Sequence, residues 1–265
     1  MNTPVRAPHS SPLLALWRAT WVMVWLLIML PLVLLFWLLR QQRVRGRLVQ
    51  LFLRVLCAIL RLRVTVHGTL SQARPLLIVA NHASYADVFV LGSKLPVSFT
   101  PKREVRSWPG IGFLCILADC VFVERRRSQM QEAREEMEAR IEDGRVLCIF
   151  PEGTTNDGRS VKPFKSGFLS LAEERHLPVQ PATIAYTHVN GAPLDAAFSD
   201  HVAWVGEATF FAHFSRLLGY RSIDAQLHLG EALLTSEAMD RKAITLQCEQ
   251  EIRSTLEHSI RQIQR

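Results

Sequence analysis

The sequence predicts an α/β protein in which a mixed sheet is flanked by helices and preceded by an N-terminal membrane-associated helical segment. From residue 63 onward, short β-rich runs alternate with helical stretches, which is typical of a sheet with helices packed on it. Before residue 63, the chain consists mainly of apolar runs interrupted by arginines. We therefore divide the 265 residues into a tail with membrane-anchoring helices (1–62) and an α/β domain (63–265).

Charge is unevenly distributed along the chain. The net charge is +7, yet residues 1–86 hold ten arginines and no acidic residue, whereas the remainder holds 21 basic and 24 acidic residues. A basic and apolar front half favours contact with an anionic lipid surface. Nucleic acid is the competing partner for a basic protein, but no nucleic-acid motif accompanies these arginines. We therefore predict membrane lipid, and no nucleic acid, as a partner.

The N-terminal segment contains a run long enough to cross a bilayer. Residues 19–39 include no charged residue, and as a helix they would extend about 31 Å, close to the thickness of the hydrocarbon core. The arginines that follow place the later domain, by the positive-inside rule, on the cytoplasmic face of a bacterial-type inner membrane. Residues 48–62 are predicted to form an interfacial amphipathic helix. An ordinary core-packing helix is the alternative.

The elements of the α/β domain follow from apolar runs, turn residues and helical periodicity. Strands are predicted at 64–67, 76–80, 97–100, 120–123, 146–150, 179–184, 202–205 and 225–229, and helices at 85–94, 107–118, 128–143, 166–174, 209–218 and 237–263.

The first chemical motif is the polar loop 81–87, which follows the apolar strand predicted at 76–80. His82 and Asp87 lie five positions apart in this loop. A neutral imidazole can take a proton from an alcohol near neutral pH, and a carboxylate on its other nitrogen fixes its tautomer and orientation. The alternative is structural, because the stretch from Ser84 to Asp87 also fits a helix capping box.

The second motif, Phe150-Pro151-Glu152-Gly153-Thr154, follows the strand predicted at 146–150. Loops after strand ends are common ligand sites in α/β sheets, and glycine allows a close backbone approach. On its own, Pro-Glu-Gly predicts no more than a turn.

Together, these motifs resemble the glycerolipid acyltransferases, of the type that acylates lysophosphatidic acid. That family is marked by an N-H-x4-D block, a middle block with a basic residue, an F-P-E-G-T block and a late V-P block. In this chain Lys102 and Arg125 belong to the middle block, and residues 177–181 form the last one. The resemblance covers about residues 64–190 and implies the mixed sheet flanked by helices of that family.

The resemblance also implies roles for individual residues. His82 would be the general base that deprotonates the acceptor hydroxyl, and Asp87 would orient it and stabilise its imidazolium. The substrate-binding residues implied are Arg125 for the acceptor's anionic group, together with Lys102, Glu152, Gly153 and Thr154. The donor would be an acyl thioester on coenzyme A or acyl carrier protein, with no other cofactor and no metal. Cys148 near the third block is predicted to be a core residue rather than an acyl-enzyme nucleophile.

One departure concerns the acceptor. The third block of the family often continues with an arginine that helps bind phosphate, and here Thr155 occupies that position. Threonine there is similar to relatives that acylate lyso-ornithine lipids, and Lys162 or Lys165 could supply a cation instead.

We predict a membrane-bound O-acyltransferase of phospholipid biosynthesis that acylates a lysolipid hydroxyl. The leading acceptor is 1-acyl-sn-glycerol 3-phosphate, which would give phosphatidic acid, and lyso-ornithine lipid is the alternative. The other classes to be tested are a non-catalytic lipid-binding protein and a thioester hydrolase.

Overall fold

The computed structural model describes residues 8–123, 127–194, 196–206, 208–236 and 239–263. Its helices are α1 (Pro12–Leu38), α2 (Gln42–Leu60), α3 (Ala86–Lys94), α4 (Ile111–Leu117), α5 (Arg127–Glu142), α6 (Ser170–Glu174), α7 (Phe210–Gly219) and α8 (Arg241–Ile263). Its strands are β1 (Leu62–His67), β2 (Leu76–Ala80), β3 (Val97–Phe99), β4 (Val146–Ile149), β5 (Val179–Val189), β6 (Ala192–Pro193) and β7 (Ile223–Leu229).

Within the described residues, the strands form one mixed sheet in the order β1–β7–β5–β2–β4–β3, with β6 paired to β5. The pairs β1/β7, β2/β5, β2/β4 and β3/β4 are parallel, and β5 is antiparallel to β6 and β7. The predicted fold class is therefore confirmed. Because β2 and β4 are parallel neighbours, their carboxyl ends meet at one edge, and the two sequence motifs both begin there.

Apolar side chains cover both faces of this sheet. On one face, Leu53 of α2, Val90 of α3 and Leu217 of α7 belong to one buried cluster. On the other, Ile244 and Ile252 of α8 belong to a second cluster, together with residues of α6. Strands β2 and β4 are buried along their whole length, as expected for parallel strands covered on both faces.

Helix α2 packs between α1 and α3. Its buried residues, which include Leu53, Leu56, Cys57 and Leu60, belong to the core cluster on that face of the sheet. For this helix, the structure shows the core-packing arrangement that was the alternative to an interfacial helix.

Both ends of α1 are attached to the α/β domain. At its start, the Ser11 N–H donates to the Gly219 carbonyl at 2.9 Å. The buried Arg18 guanidinium donates to the carbonyls of Leu60, Leu218, Tyr220 and Arg221. Beyond its end, in the first turn of α2, Arg45 forms an ion pair with Asp119 at 3.0 Å. The middle of α1 is apolar and largely exposed, with a mean hydropathy of 2.6, and is long enough to cross a membrane.

Two predicted strands are wrong. Segment 120–123 runs extended beside the end of β3, but it forms only an isolated bridge between Val123 and Lys102. The valines of segment 202–205 favour a strand, but the segment forms a loop. In that loop, the backbone N–H of Trp204 donates to the Ala83 carbonyl. Strand β6 is too short to give a periodic signal and was not predicted.

Helix boundaries also differ. The helices predicted at 107–118 and 166–174 each contain a shorter α-helix, and 3₁₀ turns occupy Arg103–Ser107 and Ser166–Leu169. Helix α8 begins at Arg241, after Asp240 caps its first turn by accepting the Ala243 N–H. Residues 237 and 238, where that helix was predicted to start, lie outside the described residues.

Candidate active site

Asn81 fixes the point at which the chain leaves β2. Its side-chain amide donates to the Ile184 carbonyl at 2.9 Å and accepts the Ile184 N–H at 2.8 Å. This reciprocal pair extends the β2–β5 pairing by one side chain. The loop that carries His82 therefore starts from a rigid position in the middle of the sheet.

The His82–Asp87 pair exists in the structure. His82 Nδ1 lies 2.9 Å from Asp87 Oδ2, and Asp87 is fully buried whereas the His82 side chain is 20% exposed. Since a carboxylate can only accept, Nδ1 carries the proton and Nε2 is the nitrogen with a lone pair. This arrangement lets Nε2 take a proton from a substrate hydroxyl.

Asp87 also organises the loop itself. Its Oδ2 accepts the N–H groups of Ala83 and Ser84 at 2.8 and 2.9 Å, and its Oδ1 accepts the Tyr186 hydroxyl at 2.8 Å. The bond from the Ser84 N–H is one of the two that a capping box requires; the Ser84 hydroxyl accepts the Ala86 N–H instead of that of Asp87. One side chain therefore contacts both the His82 ring and the backbone at the start of α3.

Phe150 supports the imidazole from one face. Its ring stacks on that of His82 with 4.2 Å between centroids and 19° between planes. Phe150 is the first residue of the second motif, so the two motifs meet at the imidazole.

Glu152 connects the second motif to the backbone of the first. Its Oε1 accepts the His82 N–H at 2.7 Å, and its Oε2 accepts from the Asn156 amide at 2.6 Å and the Lys162 N–H at 2.9 Å. Burial raises the pKa of Glu152, and the N–H donors partly oppose that rise. The bond to the His82 N–H holds the loop that carries His82 against the second motif, and the predicted role of Glu152 in substrate binding stays a prediction.

Gly153 needs to be glycine for a conformational reason. Its φ is +69°, a region that L side chains rarely adopt, and a Cβ there would meet the Lys165 Nζ at 3.0 Å. The close approach brings the Lys165 ammonium beside the second motif. Thr154 follows directly and is half-buried.

The middle block is partly described. Lys102 is exposed and its backbone bridges Val123, two positions before Arg125. Arg125, predicted to bind the acceptor's anionic group, lies outside the described residues.

Thr155 has a structural partner. Its hydroxyl donates to the Trp204 carbonyl at 2.5 Å, and its own carbonyl accepts from the Lys162 ammonium at 3.0 Å. The backbone N–H of Trp204 donates to the Ala83 carbonyl at 2.8 Å. The loop around Trp204 is thus attached both to the residue after His82 and to the position where the family often has arginine.

Cys148 is a core residue of β4, as predicted. It is fully buried, and burial raises the pKa of its thiol, which disfavours the thiolate that a nucleophile requires.

Sequence comparisons identify the family of this chain. Residues 63–185 match the acyltransferase family model. A lyso-ornithine lipid O-acyltransferase of Brucella abortus (strain 2308) is 34% identical over 224 residues, which cover 82% of this chain and 84% of that protein. The chain belongs to this acyltransferase family.

Other members of the family act on different lipids. The lyso-ornithine lipid O-acyltransferase of Pseudomonas aeruginosa is 34% identical, with 80% of each chain covered. A 1-acyl-sn-glycerol-3-phosphate acyltransferase of Saccharomyces cerevisiae is 31% identical over 56% of this chain and 51% of its own length. The crystal structure of PlsC, the 1-acyl-sn-glycerophosphate acyltransferase of Thermotoga maritima, shares the fold with a TM-score of 0.71 and 19% identity, covering 93% of this chain and 94% of that one.

Proposed function

We propose that this acyltransferase transfers a fatty acyl chain from a thioester to the hydroxyl of a lyso-ornithine lipid. The observation that carries this proposal is the extent of similarity: relatives with that activity align over 76–82% of this chain. The relatives named for 1-acyl-sn-glycerol 3-phosphate align over 42–56% of it. Thr155, whose hydroxyl bonds to the Trp204 carbonyl, adds support, because no arginine stands there to bind a phosphate.

In the proposed reaction, His82 Nε2 takes the proton of the acceptor hydroxyl as its oxygen attacks the thioester carbonyl. Asp87 stabilises the imidazolium through Nδ1. Collapse of the tetrahedral intermediate breaks the carbon–sulfur bond, and the imidazolium returns the proton to the leaving thiolate. The products are an ester, a free thiol and the neutral histidine.

The acceptor also carries an anionic group that needs a cation. Lys165 lies beside Gly153, and the Lys162 ammonium lies beside the Thr155 carbonyl, so both flank the second motif. We propose that these lysines act with Lys102 and Arg125 of the middle block. A carboxylate or a phosphate would be bound by the same cations.

The donor and the membrane complete the proposal. An acyl thioester of coenzyme A or acyl carrier protein would supply the acyl chain. The exposed apolar residues of α1 would hold the protein in the bilayer, with the catalytic domain on the cytoplasmic face.

The test is a competition between lyso-ornithine lipid and 1-acyl-sn-glycerol 3-phosphate in one reaction, which gives the ratio of their kcat/KM values. We expect lyso-ornithine lipid to be favoured by tenfold or more, about 1.4 kcal/mol. A tenfold preference for the phosphate acceptor would overturn the proposal in favour of the second candidate. Thioester cleavage that does not depend on either lipid would indicate a hydrolase.

A further inference from the structure

Four aromatic side chains form a closed circuit beside the catalytic loop. Within this group of four, each ring contacts two of the others. The pairs are Tyr85 with Trp204 (5.4 Å between centroids), Trp204 with Trp108 (5.9 Å), Trp108 with Phe210 (6.1 Å) and Phe210 with Tyr85 (4.7 Å). These residues come from three distant parts of the chain, and all four are partly exposed.

The circuit is attached directly to the catalytic machinery. Tyr85 is three positions after His82, and the Trp204 N–H bonds to the Ala83 carbonyl at 2.8 Å. The Trp204 carbonyl accepts the Thr155 hydroxyl. A molecule held at these rings would therefore lie next to the imidazole and to the second motif.

The polar side-chain atoms of Trp204 and Tyr85 already have protein partners. The Trp204 indole N–H donates to the Ala208 carbonyl at 2.8 Å, and the Tyr85 hydroxyl lies 2.8 Å from His213 Nδ1. What the rings can offer to a ligand is their π faces. Such faces attract cations, and several aromatic rings around one point bind quaternary ammonium groups in other proteins.

The surroundings separate two kinds of charge. Lys162 and Lys165 lie beside the second motif, where they would attract an anionic group. The four rings carry no charge, and their π faces are the part of them that attracts a cation. A headgroup with one negative and one positive group fits this division, whereas a phosphate monoester has nothing to place on the rings.

We propose that Tyr85, Trp108, Trp204 and Phe210 bind the positively charged amino group of the acceptor headgroup, with Trp204 as the specificity-determining residue. This inference rests on the proposed function, because it assigns a site for the part of lyso-ornithine lipid that lysophosphatidic acid lacks. A cation within about 6 Å of a ring centroid gains a cation–π contact, and the circuit brings several centroids within reach of one point.

The test compares three variants. Trp204→Leu keeps an apolar side chain without a π face, and Trp204→Phe keeps a smaller π face. Phe211→Leu is the matched control, because Phe211 is exposed and, among the described residues, its ring contacts one ring of the circuit, that of Phe210. For each, kcat/KM is measured with lyso-ornithine lipid and with the same lipid after acetylation of its free amino group.

We expect Trp204→Leu to lower kcat/KM for lyso-ornithine lipid about five- to thirty-fold, with Trp204→Phe in between. The acetylated lipid should respond less than twofold, and Phe211→Leu should affect neither. If Trp204→Leu lowers both lipids equally while the melting temperature and vesicle binding are unchanged, the rings form an apolar wall and the inference is overturned. Equal losses together with weaker vesicle binding would identify a membrane contact and would overturn it too.

Two controls keep the result interpretable. If Trp204→Leu does not fold, Trp108→Leu tests the same circuit without touching the backbone bonds of Trp204. If wild-type protein does not prefer lyso-ornithine lipid, the proposed function fails on its own, before any variant is compared. If it does and every Trp204 and Trp108 variant keeps that preference unchanged, only the aromatic site fails.

Discussion

His82 depends on two carboxylates that act in different ways. Asp87 binds its ring at Nδ1, and Glu152 binds its backbone N–H from 70 residues away in sequence. The bond to Asp87 determines which ring nitrogen of His82 carries the proton, and the bond to Glu152 determines the position of the loop. Under the proposed mechanism, loss of either carboxylate should lower turnover, but only loss of His82 would remove the base itself.

We expect His82→Ala to lower acyl transfer by about 10²–10⁴-fold, the usual contribution of a general base. The fold should survive because the His82 side chain is partly exposed and its bonds to Glu152 and Asn156 use backbone atoms. The rate of thiol release in the presence of lysolipid measures this. His258→Ala, an exposed histidine of α8, is the control. Activity within a few-fold of wild type would remove His82 from the mechanism.

Asp87→Asn and Tyr186→Phe separate the two roles of Asp87. The asparagine keeps one oxygen for the loop N–H groups but cannot stabilise an imidazolium, so turnover should fall at least about 100-fold. Tyr186→Phe removes a single hydrogen bond to Asp87 and should cost about 1–3 kcal/mol of stability, with a smaller change in turnover. Melting curves measured beside the kinetics test this. If Asp87→Asn lowers the stability but turnover is normal, the role of Asp87 is limited to capping the start of α3.

The contact between His82 and Asp87 could be predicted because both residues lie in one seven-residue loop, where their spacing is visible in the sequence. Tyr186 could not, since it bonds to Asp87 across 99 residues and looks like any aromatic residue of a buried strand. The contacts of Trp204 could not be predicted either, because they also join residues that are distant in sequence. The valines around it favour a strand, and only tertiary structure shows its carbonyl bonded to Thr155.

At the scale of elements, the N-terminal helices illustrate what periodicity leaves open. An apolar run predicts a helix and its length, but not what each face contacts. Arg18 shows the difference: within an apolar helix it suggests an exposed charge, whereas the structure buries it against four carbonyls at the ends of α2 and α7. Helix α1 is therefore part of the domain at its start and apolar and exposed along its middle.

Because Ser11 at the start of α1 and Arg45 at the start of α2 both bond to the α/β domain, we expect the two ends of α1 to lie on the same side of the membrane. Single cysteines at His9 and Gln41 should react equally with an impermeant thiol reagent from one side of sealed vesicles. Labelling from opposite sides would mean that α1 crosses the bilayer.

The exposed face of α1 should also control membrane binding. Leu27→Glu places a charge on that face and should release protein from anionic vesicles, since burying an unpaired charge in lipid is costly. Leu246→Glu is the matched control, because Leu246 is similarly exposed but lies on α8. Equal vesicle binding by both variants would contradict a membrane role for this face of α1.

At the scale of the whole molecule, strand order explains why the motifs meet. The sequence predicts that two strands precede the two motifs, and it predicts a mixed sheet. It does not specify that β5 lies beside β2 and antiparallel to β7, since register and order depend on side-chain packing across the sheet. That order places Tyr186 of β5 within reach of Asp87.

Buried histidines should make the folded state sensitive to acid. Burial lowers the pKa of His213 to about 4, and burial also lowers the pKa of His201 and His228. In the unfolded chain a histidine titrates near 6.5, so between about pH 6.5 and 4 the unfolded state binds protons that folded His213 does not. Stability should therefore fall as pH drops through this window, by at most about 1.4 kcal/mol per pH unit from His213.

Urea unfolding at pH 7 and pH 5 measures this loss, which we expect to reach about 2 kcal/mol for His213. His213→Asn retains a polar partner for the Tyr85 hydroxyl without titrating, so it should flatten the pH dependence while lowering stability at pH 7. The raised pKa of Glu152 acts in the opposite direction, because a buried carboxyl favours the folded state as pH falls. Both proteins contain Glu152, so subtracting the stability of the variant from that of wild type at each pH removes its contribution. His258→Asn changes an exposed histidine and should leave the pH dependence of stability unchanged. An identical slope in wild type and His213→Asn would show that His213 does not set the acid limit of the fold.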